Sequence, residues 1–285
     1  MEHYFENVSD VTGDIEETTI KMKFTHGIFL KNLIDLLLAI NNISRKETIY
    51  NSTLNLSFDG SGLNINETVV NSDNSESIKA TFNIFLCKKE MEEYECSREV
   101  KVYIDVKELK GMCKSIDRLG PATIECDNST LKLIIGTHGG TLDKNIIKTI
   151  PIIITSIIRD SFYSGIGKET NLPFILPSQE LVKIKKDFDC NKHRPIYITI
   201  DSYQGIKIES SKEGAVSSTT IVYGEVDKNK LPTKLFSSHI AFLSKMNTVS
   251  SSLSFYESEH QSIKVKANID KPSYLGTIDV TVGNG

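Results

Sequence analysis

The residues of this sequence that are best suited to chemistry are lysines, which recur on four segments with the apolar spacing of amphipathic helices. Together these segments carry ten basic and seven acidic residues, and they are 27–41, 105–118, 178–191 and 232–247. Their net charge of +3 leaves −7 for the rest of a chain whose total is −4. Lysine ammonium groups bind phosphate oxygens without reading a base sequence. An acidic protein can therefore present one cationic surface to a polyanion, because its field depends on where the charges lie.

Charged residues on one face of a helix are also typical of ordinary solvent-exposed surface. A helix that binds no nucleic acid would show the same sequence pattern. Asp105 and Glu180 lie at predicted helix starts, where a carboxylate caps the first turn or complements the helix dipole. The charge pattern alone therefore leaves a nucleic-acid role and a purely structural role open.

The sequence contains none of the motifs that mark common catalytic sites. It has no G-x-S-x-G elbow, no H-E-x-x-H and no phosphate-binding glycine loop, since 138–140 follows a predicted strand but opens no helix. His26 and His239 belong to no catalytic pattern and are interpreted as structural residues. We therefore predict a protein that is not an enzyme and that uses no metal and no cofactor. A site assembled only in three dimensions remains an alternative.

The cysteines indicate a reducing compartment, because their number is odd and no two form a C-x-x-C pair. There are five, at positions 87, 96, 113, 126 and 190. Residues 1–18 hold six acidic residues and no lysine or arginine, and we predict a flexible acidic leader there and no signal peptide. The longest apolar runs are too short to cross a bilayer. We expect a soluble intracellular protein without a membrane partner.

Hydrophobic periodicity predicts the same order of elements in both halves of the chain. In the first half we predict a strand at 19–24, a helix at 27–41, strands at 50–59, 62–68, 77–86 and 100–104, a helix at 105–118, and strands at 122–127, 129–136 and 146–154. In the second half we predict a strand at 174–176, a helix at 178–190, strands at 195–202, 205–211 and 217–225, a helix at 235–247, and strands at 251–257, 262–269 and 274–282. A charged insertion at 87–98 interrupts the first half.

We interpret the two halves as two copies of the order β-α-β-β-β-β-α-β-β-β, with one of the four middle strands unassigned in the second half, and this predicts an α+β fold with two tandem domains. We place the first domain at 19–154, a connector at 155–172 and the second domain at 173–285. A link of that length inside a compact protein is uncommon unless it has a function or only tethers.

With this order, several local motifs resemble those of DNA sliding clamps of the proliferating cell nuclear antigen type. The matching stretches are Gly27–Leu33 in the first helix, Phe58–Ile65 in the first hairpin, Tyr94–Arg98 before the second helix, Pro177–Asp187 in the third helix, Gly205–Ile208 in a later hairpin and Leu243–Lys245 in the last helix. The resemblance covers about residues 19–282 through the order and spacing of these motifs together.

The resemblance implies a ring, commonly of three two-domain subunits, with helices lining a central hole and antiparallel sheets outside. Such a protein is a DNA polymerase processivity factor that encircles duplex DNA at the site of replication, in a nucleus, a viral factory or a bacterial cytoplasm. The positions that match basic lining positions of the family are Lys31, Lys114, Lys183, Lys186 and Lys245. Helical placement alone adds Lys107, Lys110 and Lys185. Asn32 and Leu38 replace two lysines of the family pattern.

The resemblance also implies a pocket beside the connector that accepts a short helical motif from polymerases and other replication or repair enzymes. Its apolar candidates are Phe162, Tyr163 and Ile166 in the connector, Val69 and Val70 in a hairpin loop, and Ile278 near the end of the chain. Ordinary packing of the link onto the sheet is the alternative for these residues. The family's subunits join edge to edge, which would use strands 146–154 and 217–225. Pro151 is a departure there, because proline removes a ladder donor.

Two other functions are left open by the sequence. One is a clamp-fold transcription or checkpoint factor that does not close a ring by itself. The other is a β-rich ligand-binding or enzymatic protein in which the repeat is coincidental.

Overall fold

A computed structural model gives the fold for most of the chain. The structure describes residues 19–41, 53–73, 76–116, 120–136, 145–156, 172–188, 195–210, 218–258 and 262–284. The predicted leader at 1–18 lies outside this range, as does most of the predicted connector, 157–171.

The first half of the chain has two helices among its strands. Its elements are β1 (Ile20–Phe24), α1 (Gly27–Asn41), β2 (Thr53–Asp59), β3 (Gly62–Asp73), β4 (Glu76–Cys87), β5 (Glu93–Cys96), β6 (Val100–Asp105), α2 (Val106–Cys113), β7 (Ala122–Cys126), β8 (Thr130–Gly136), β9 (Asn145–Pro151) and β10 (Ile153–Ser156). A short 3₁₀ turn at Lys88–Glu90 separates β4 from β5.

The second half also has two helices among its strands. Its elements are β11 (Phe174–Pro177), α3 (Ser178–Phe188), β12 (Ile196–Asp201), β13 (Gly205–Ser210), β14 (Thr219–Gly224), β15 (Thr233–Leu235), α4 (Ser237–Lys245), β16 (Ser252–Ser258), β17 (Ser262–Ile269) and β18 (Gly276–Asn284). A 3₁₀ turn at Met246–Thr248 extends α4.

The described strands form antiparallel sheets that alternate buried and solvent-facing side chains. Their orders are β5-β1-β7-β8-β9, β10-β6-β2-β3-β4-β18-β17-β16-β11 and β14-β13-β12-β15. The nine-stranded sheet contains strands of both halves, because β4 pairs with β18 from Leu86↔Gly276 to Ile78↔Asn284. The predicted α+β class with mostly antiparallel sheets is therefore confirmed.

Helix packing follows from the apolar stripe of each helix. Helix α1 contacts both α2 and α4, and α4 contacts α3, so the helices lie side by side in the order α2-α1-α4-α3. We call this arrangement the helix row. At the junction of the two halves, the side-chain amide of Asn32 donates to the Thr248 carbonyl over 3.1 Å. The rings of Phe82 and Phe242 also meet there edge to face, with centroids 4.7 Å apart.

The predicted strand at 146–154 is divided into two strands that belong to different sheets. Strand β9 ends at Pro151 as the last strand of the five-stranded sheet, whereas β10 pairs with β6 in the nine-stranded sheet. Between them, Ile152 is buried and its N–H donates to the Ser129 carbonyl over 2.9 Å. The chain changes sheets at this corner, directly after a residue that has no N–H to donate.

Other predicted boundaries are corrected by the structure. The hairpin β3–β4 extends to Asp73↔Glu76, so the predicted hairpin loop that contains Val69 and Val70 is strand. The charged insertion contains strand β5, which pairs with β1. Helix α2 ends at Cys113 instead of Arg118, and β10 continues to Ser156, beyond the predicted start of the connector. A short strand, β15, precedes α4, which starts two residues later than predicted.

Among the described helices, none has the length and apolar content that a membrane span requires.

Candidate nucleic-acid interface

Helix α2 and its C-cap residue, Lys114, present three of the predicted lysines to solvent. Its start is fixed by Asp105, whose carboxylate accepts hydrogen bonds from the backbone N–H groups of Lys107 at 2.7 Å and Glu108 at 3.1 Å. The buried stripe of the helix comprises Leu109, Met112 and Cys113. The opposite face therefore carries the exposed side chains of Lys107, Lys110 and Lys114.

Helix α3 presents two exposed lysines, of which one is already paired. Leu181, Ile184 and Phe188 are buried against the sheets, so Lys183 and Lys186 project to solvent. The Lys183 ammonium lies 2.6 Å from the Glu180 carboxylate. Because its charge is partly neutralised there, Lys183 is less available to an anion than Lys186.

Tyr223 of β14 completes this contact by donating its hydroxyl hydrogen to Glu180 over 3.0 Å. The hydrogen bond from Lys183, followed by that from Tyr223, lowers the pKa of Glu180. Burial, together with the bond to Glu180, raises the pKa of Tyr223 to about 12. Glu180 is thus ionised and Tyr223 neutral at physiological pH, and both hold Lys183 beside the edge strand β14. Lys185 on the same helix is half-buried and makes contacts of its own.

Helices α1 and α4 form the middle of the helix row and carry fewer lysines. Lys245 at the end of α4 is exposed, whereas Lys31 of α1 is half-buried. Asn32 and Leu38 are half-buried, and Asn32 is occupied by its bond to Thr248. Lysines are therefore concentrated towards the two ends of the row, on α2 and α3.

His239 at the start of α4 has a structural role, as predicted. The imidazole is buried and its Nδ1 accepts a hydrogen bond from the Phe236 backbone N–H over 3.1 Å. This bond closes the first turn of the helix from within. Burial lowers the pKa of His239 to about 4, so the ring is neutral at physiological pH.

Lysines of the helix row differ from several lysines on the sheets in their partners. On or beside the sheets, four lysines pair with carboxylates, namely Lys21 with Glu93 at 2.7 Å, Lys23 with Glu92 at 2.6 Å, Lys207 with Glu209 at 2.7 Å and Lys230 with Glu257 at 2.6 Å. Within the described parts of the chain, no carboxylate is in ion-pair distance of five exposed helix lysines. We call these five the free helix lysines, and they are Lys107, Lys110, Lys114, Lys186 and Lys245.

Lys148 is a basic residue at this surface that the sequence analysis missed. It lies on edge strand β9, and its ammonium donates to the Gly111 carbonyl in the last turn of α2 over 3.3 Å. Its charge complements the negative end of the helix dipole. Lys148 also lies close enough to Cys113 to oppose the rise in the pKa of that thiol, which burial brings to about 12. An apolar strand pattern gives no signal for such a contact, which only the packing of β9 against α2 creates.

The predicted partner-binding residues are only partly described. Phe162, Tyr163 and Ile166 lie outside the described residues. Val69 is 8% exposed on β3, and the side chain of Val70 lies outside the described part. Ile278 is 0% exposed on β18, opposite Ile84 of β4. In this conformation a partner cannot reach the Ile278 side chain, because it belongs to the hydrophobic core.

In the described parts of the chain, no group of three or more His, Cys, Asp or Glu side chains could hold a metal ion. The four described cysteines are free thiols, namely Cys87, Cys96, Cys113 and Cys126. Among known proteins, neither a family model nor a curated protein matches the chain. The exposed lysines of the helix row have the chemistry to bind anionic oxygen.

Proposed function

We propose that the protein is a DNA sliding clamp, a non-enzymatic DNA polymerase processivity factor that encircles duplex DNA. One observation carries the proposal: the free helix lysines lie on one row of packed helices, whereas carboxylates neutralise four lysines on or beside the sheets. A row of unpaired ammonium groups suits the regularly spaced phosphates of a duplex. Such contacts are independent of base sequence and release counterions, so a protein held by them can slide.

The order of elements supports tandem clamp domains. When β5 is set aside, the order from β1 to β9 is strand, helix, four strands, helix and three strands. The same order runs from β11 to β18. In our proposal the two stretches are two copies of one domain, and their helices form the row that faces DNA.

The sheet edges support edge-to-edge assembly, which in our proposal closes a homotrimeric ring. Strands β9 and β14 lie at the outer ends of the five-stranded and four-stranded sheets. Each has an exposed apolar side chain, with Ile147 at 64% and Val222 at 52% exposure. Pairing of β9 with β14 of the next subunit would cover both edges and would continue the helix row into the neighbouring subunit.

The proposed function is tested by the oligomeric state and by DNA topology. A closed ring is expected to have the mass of three chains in light scattering, and to remain on circular duplex DNA while it slides off the same DNA once linearised. A strict monomer without affinity for DNA at low salt would overturn the proposal. In a closed ring that binds a polymerase, the link to the DNA would raise the effective concentration of the polymerase at its template.

A clamp-fold transcription or checkpoint factor that closes no ring is the second candidate. Pro151 favours it, because this residue lies exposed on edge strand β9 and has no N–H to donate to a neighbouring subunit. A monomer that binds circular and linear DNA equally would support this function over the first.

A further inference from the structure

The acidity of this chain comes from one short segment. Residues 1–18 contain six carboxylates and no lysine or arginine, which gives them a charge of −6. Because the whole chain has a net charge of −4, residues 19–285 together carry +2. The described fold is therefore joined to a polyanionic segment of its own.

The sheet where this segment joins the fold has its own carboxylates. Thr19 precedes β1, and its backbone N–H is held by the Ser97 hydroxyl at 3.0 Å. The lysines of β1 are occupied, since Lys21 pairs with Glu93 and Lys23 with Glu92. The neighbouring strands add Glu95 and Glu125, which repel an acidic segment.

The helix row offers the segment a surface of opposite charge. The free helix lysines are exposed, and within the described residues no carboxylate neutralises them. Helix α1 packs on β1, so the row lies directly behind the strand that follows the segment. Eighteen residues span up to about 60 Å when extended. Packed helices lie about 10 Å apart, so every helix of the row is within that reach.

We propose that the acidic segment 1–18 binds the free helix lysines when DNA is absent and competes with DNA for them. Each exposed ion pair is weak, but the covalent link gives the segment a high effective concentration at the row. Duplex DNA carries a denser array of negative charge and displaces the segment. The segment thereby lowers the affinity for short or weakly held polyanions. The competition rests on the proposed function, whereas the contact between segment and lysines can be measured without DNA.

The contact is tested by zero-length carbodiimide cross-linking of the full chain without DNA, followed by mass spectrometry. We expect cross-links from carboxylates of residues 1–18 to Lys107, Lys110, Lys186 or Lys245. Lys132 is the internal control, because it is also exposed but lies on β8 between the buried residues Leu131 and Leu133. Cross-links distributed equally over Lys132 and the helix lysines, or absent from the helices, would overturn the inference.

The competition is tested by duplex binding of three proteins in fluorescence anisotropy. The first is the full chain, the second lacks residues 2–17, and the third carries amides in place of the six carboxylates. The substitutions of the third protein are E2Q, E6Q, D10N, D14N, E16Q and E17Q. We expect both variants to bind DNA roughly threefold to tenfold more tightly than the full chain at about 50 mM salt. The difference should vanish at about 500 mM salt, where charges are screened within a few ångströms.

A matched control separates competition from the general effect of lost negative charge. Three carboxylates are neutralised in the segment by D14N, E16Q and E17Q, and three exposed ones outside it by E90Q, E99Q and E225Q. The first triple variant should gain DNA affinity and the second should not. Equal gains in both would overturn the competition.

The outcomes distinguish the inference from the proposed function. Equal DNA binding by the full chain and both segment variants overturns the competition and leaves the clamp function standing. DNA binding by none of the proteins overturns the clamp function and the competition together.

Discussion

At the scale of single residues, the ionic partners of the lysines divide them into two groups. A surface ion pair such as Lys23 with Glu92 contributes little to stability, about 0–1 kcal/mol, but it occupies the ammonium group. An exposed lysine without such a partner keeps its full charge for a ligand. Helix α3 contains both kinds, because Lys183 pairs with Glu180 and Lys186 does not pair with a described carboxylate.

Substitution of Lys186 by alanine is therefore expected to weaken DNA binding more than substitution of Lys183. The variant K186A should lose about 1 kcal/mol or less of binding free energy. The slope of log binding constant against log salt concentration should decrease in magnitude by about one. Titration of a labelled duplex at several salt concentrations measures both quantities. K132A removes an exposed lysine on the opposite face of the sheet and should leave the salt dependence unchanged. A loss with K132A as large as that with K186A would contradict the placement of DNA on the helix row.

The buried His239 predicts how stability depends on pH. In the folded protein its pKa is about 4, below the ordinary value of 6.5, so the ring stays neutral while the unfolded chain takes up a proton. The unfolded state then binds more protons between these two pH values, and the free energy of unfolding falls as the pH is lowered through that window. The loss from this one group amounts to about 3 kcal/mol by pH 4.

Substitution H239Q removes this titration and keeps an acceptor for the Phe236 N–H, because glutamine is a preferred residue at this position of a capping box. Urea unfolding at several pH values between about 6.5 and 4 measures the effect. The slope of unfolding free energy against pH should be smaller in the variant than in the natural protein. Equal slopes would show that His239 does not stay neutral in the fold.

At the scale of elements, the start of α1 packs closely against two residues that follow α2, Ile116 and Gly120. The Gly27 N–H donates to the Gly120 carbonyl over 2.8 Å. A Cβ at Gly27 would lie 2.6 Å from the Ile116 side chain and 3.0 Å from the Gly120 oxygen. The glycine thus permits the close approach that brings α1 against the segment after α2.

Substitution G27A is expected to destabilise the protein by about 1–3 kcal/mol, because the new methyl group overlaps Ile116 and backbone. Gly111 provides the matched control, since a Cβ there meets no atom within 4 Å. G111A in the last turn of α2 should stabilise the protein by about 0.5–1 kcal/mol through helix propensity. Denaturant unfolding of both variants measures the difference. Destabilisation of similar size in both would mean that close packing at Gly27 is not the cause.

Elements with a strong local pattern were predicted well from the sequence. Helix α1 has the predicted bounds, because its apolar stripe is continuous and Gly27 marks its start. Strand β5 was missed, because the Glu-rich stretch has no apolar alternation and its position depends on pairing with β1. The corner at Ile152 was missed for a similar reason. An apolar run does not show that the chain leaves one sheet and enters another, since both strands need the same residue types.

The candidate site was predictable to a smaller extent. Helical placement put Lys107, Lys110 and Lys185 on exposed faces. The structure confirms the exposure of Lys107 and Lys110, whereas Lys185 is half-buried. The ion pair that occupies Lys183 depends in part on Tyr223, which is 43 residues away from Glu180. The contact between Lys148 and Gly111 spans 37 residues. Contacts of that kind arise from tertiary packing, and a single sequence carries no local signal for them.

At the scale of the whole molecule, the nine-stranded sheet joins the two halves into one body. The pairs between β4 and β18 form a continuous ladder, and Phe82 of β4 packs against Phe242 of α4. The contact between α1 and α4 continues the helix row across the same junction. Strands β9 and β14 are outer strands of their sheets, and their outer edges pair with no other strand in the described part of the chain.

A charged residue on these outer strands is expected to prevent assembly without unfolding the chain. Ile147 and Val222 are 64% and 52% exposed, so each side chain buries little apolar surface in a single chain. The variants I147K and V222K should therefore change the stability of the single chain little. In an assembly they would place an ammonium group in an apolar contact, which opposes edge-to-edge pairing. Light scattering should give the mass of three chains for the natural protein and of single chains for the double variant, with unchanged far-ultraviolet circular dichroism.

Two other exposed residues provide a control for this prediction, because they lie on the outer strands of the nine-stranded sheet. Ile153 on β10 and Ile175 on β11 are 67% and 60% exposed. If the subunits join through β9 and β14, the double variant I153K/I175K should retain the oligomeric mass of the natural protein. Loss of the assembly in this variant, with retention in I147K/V222K, would assign the subunit contact to the ends of the nine-stranded sheet. The helix rows of neighbouring subunits would then not be continuous, and a closed positive lining would not form.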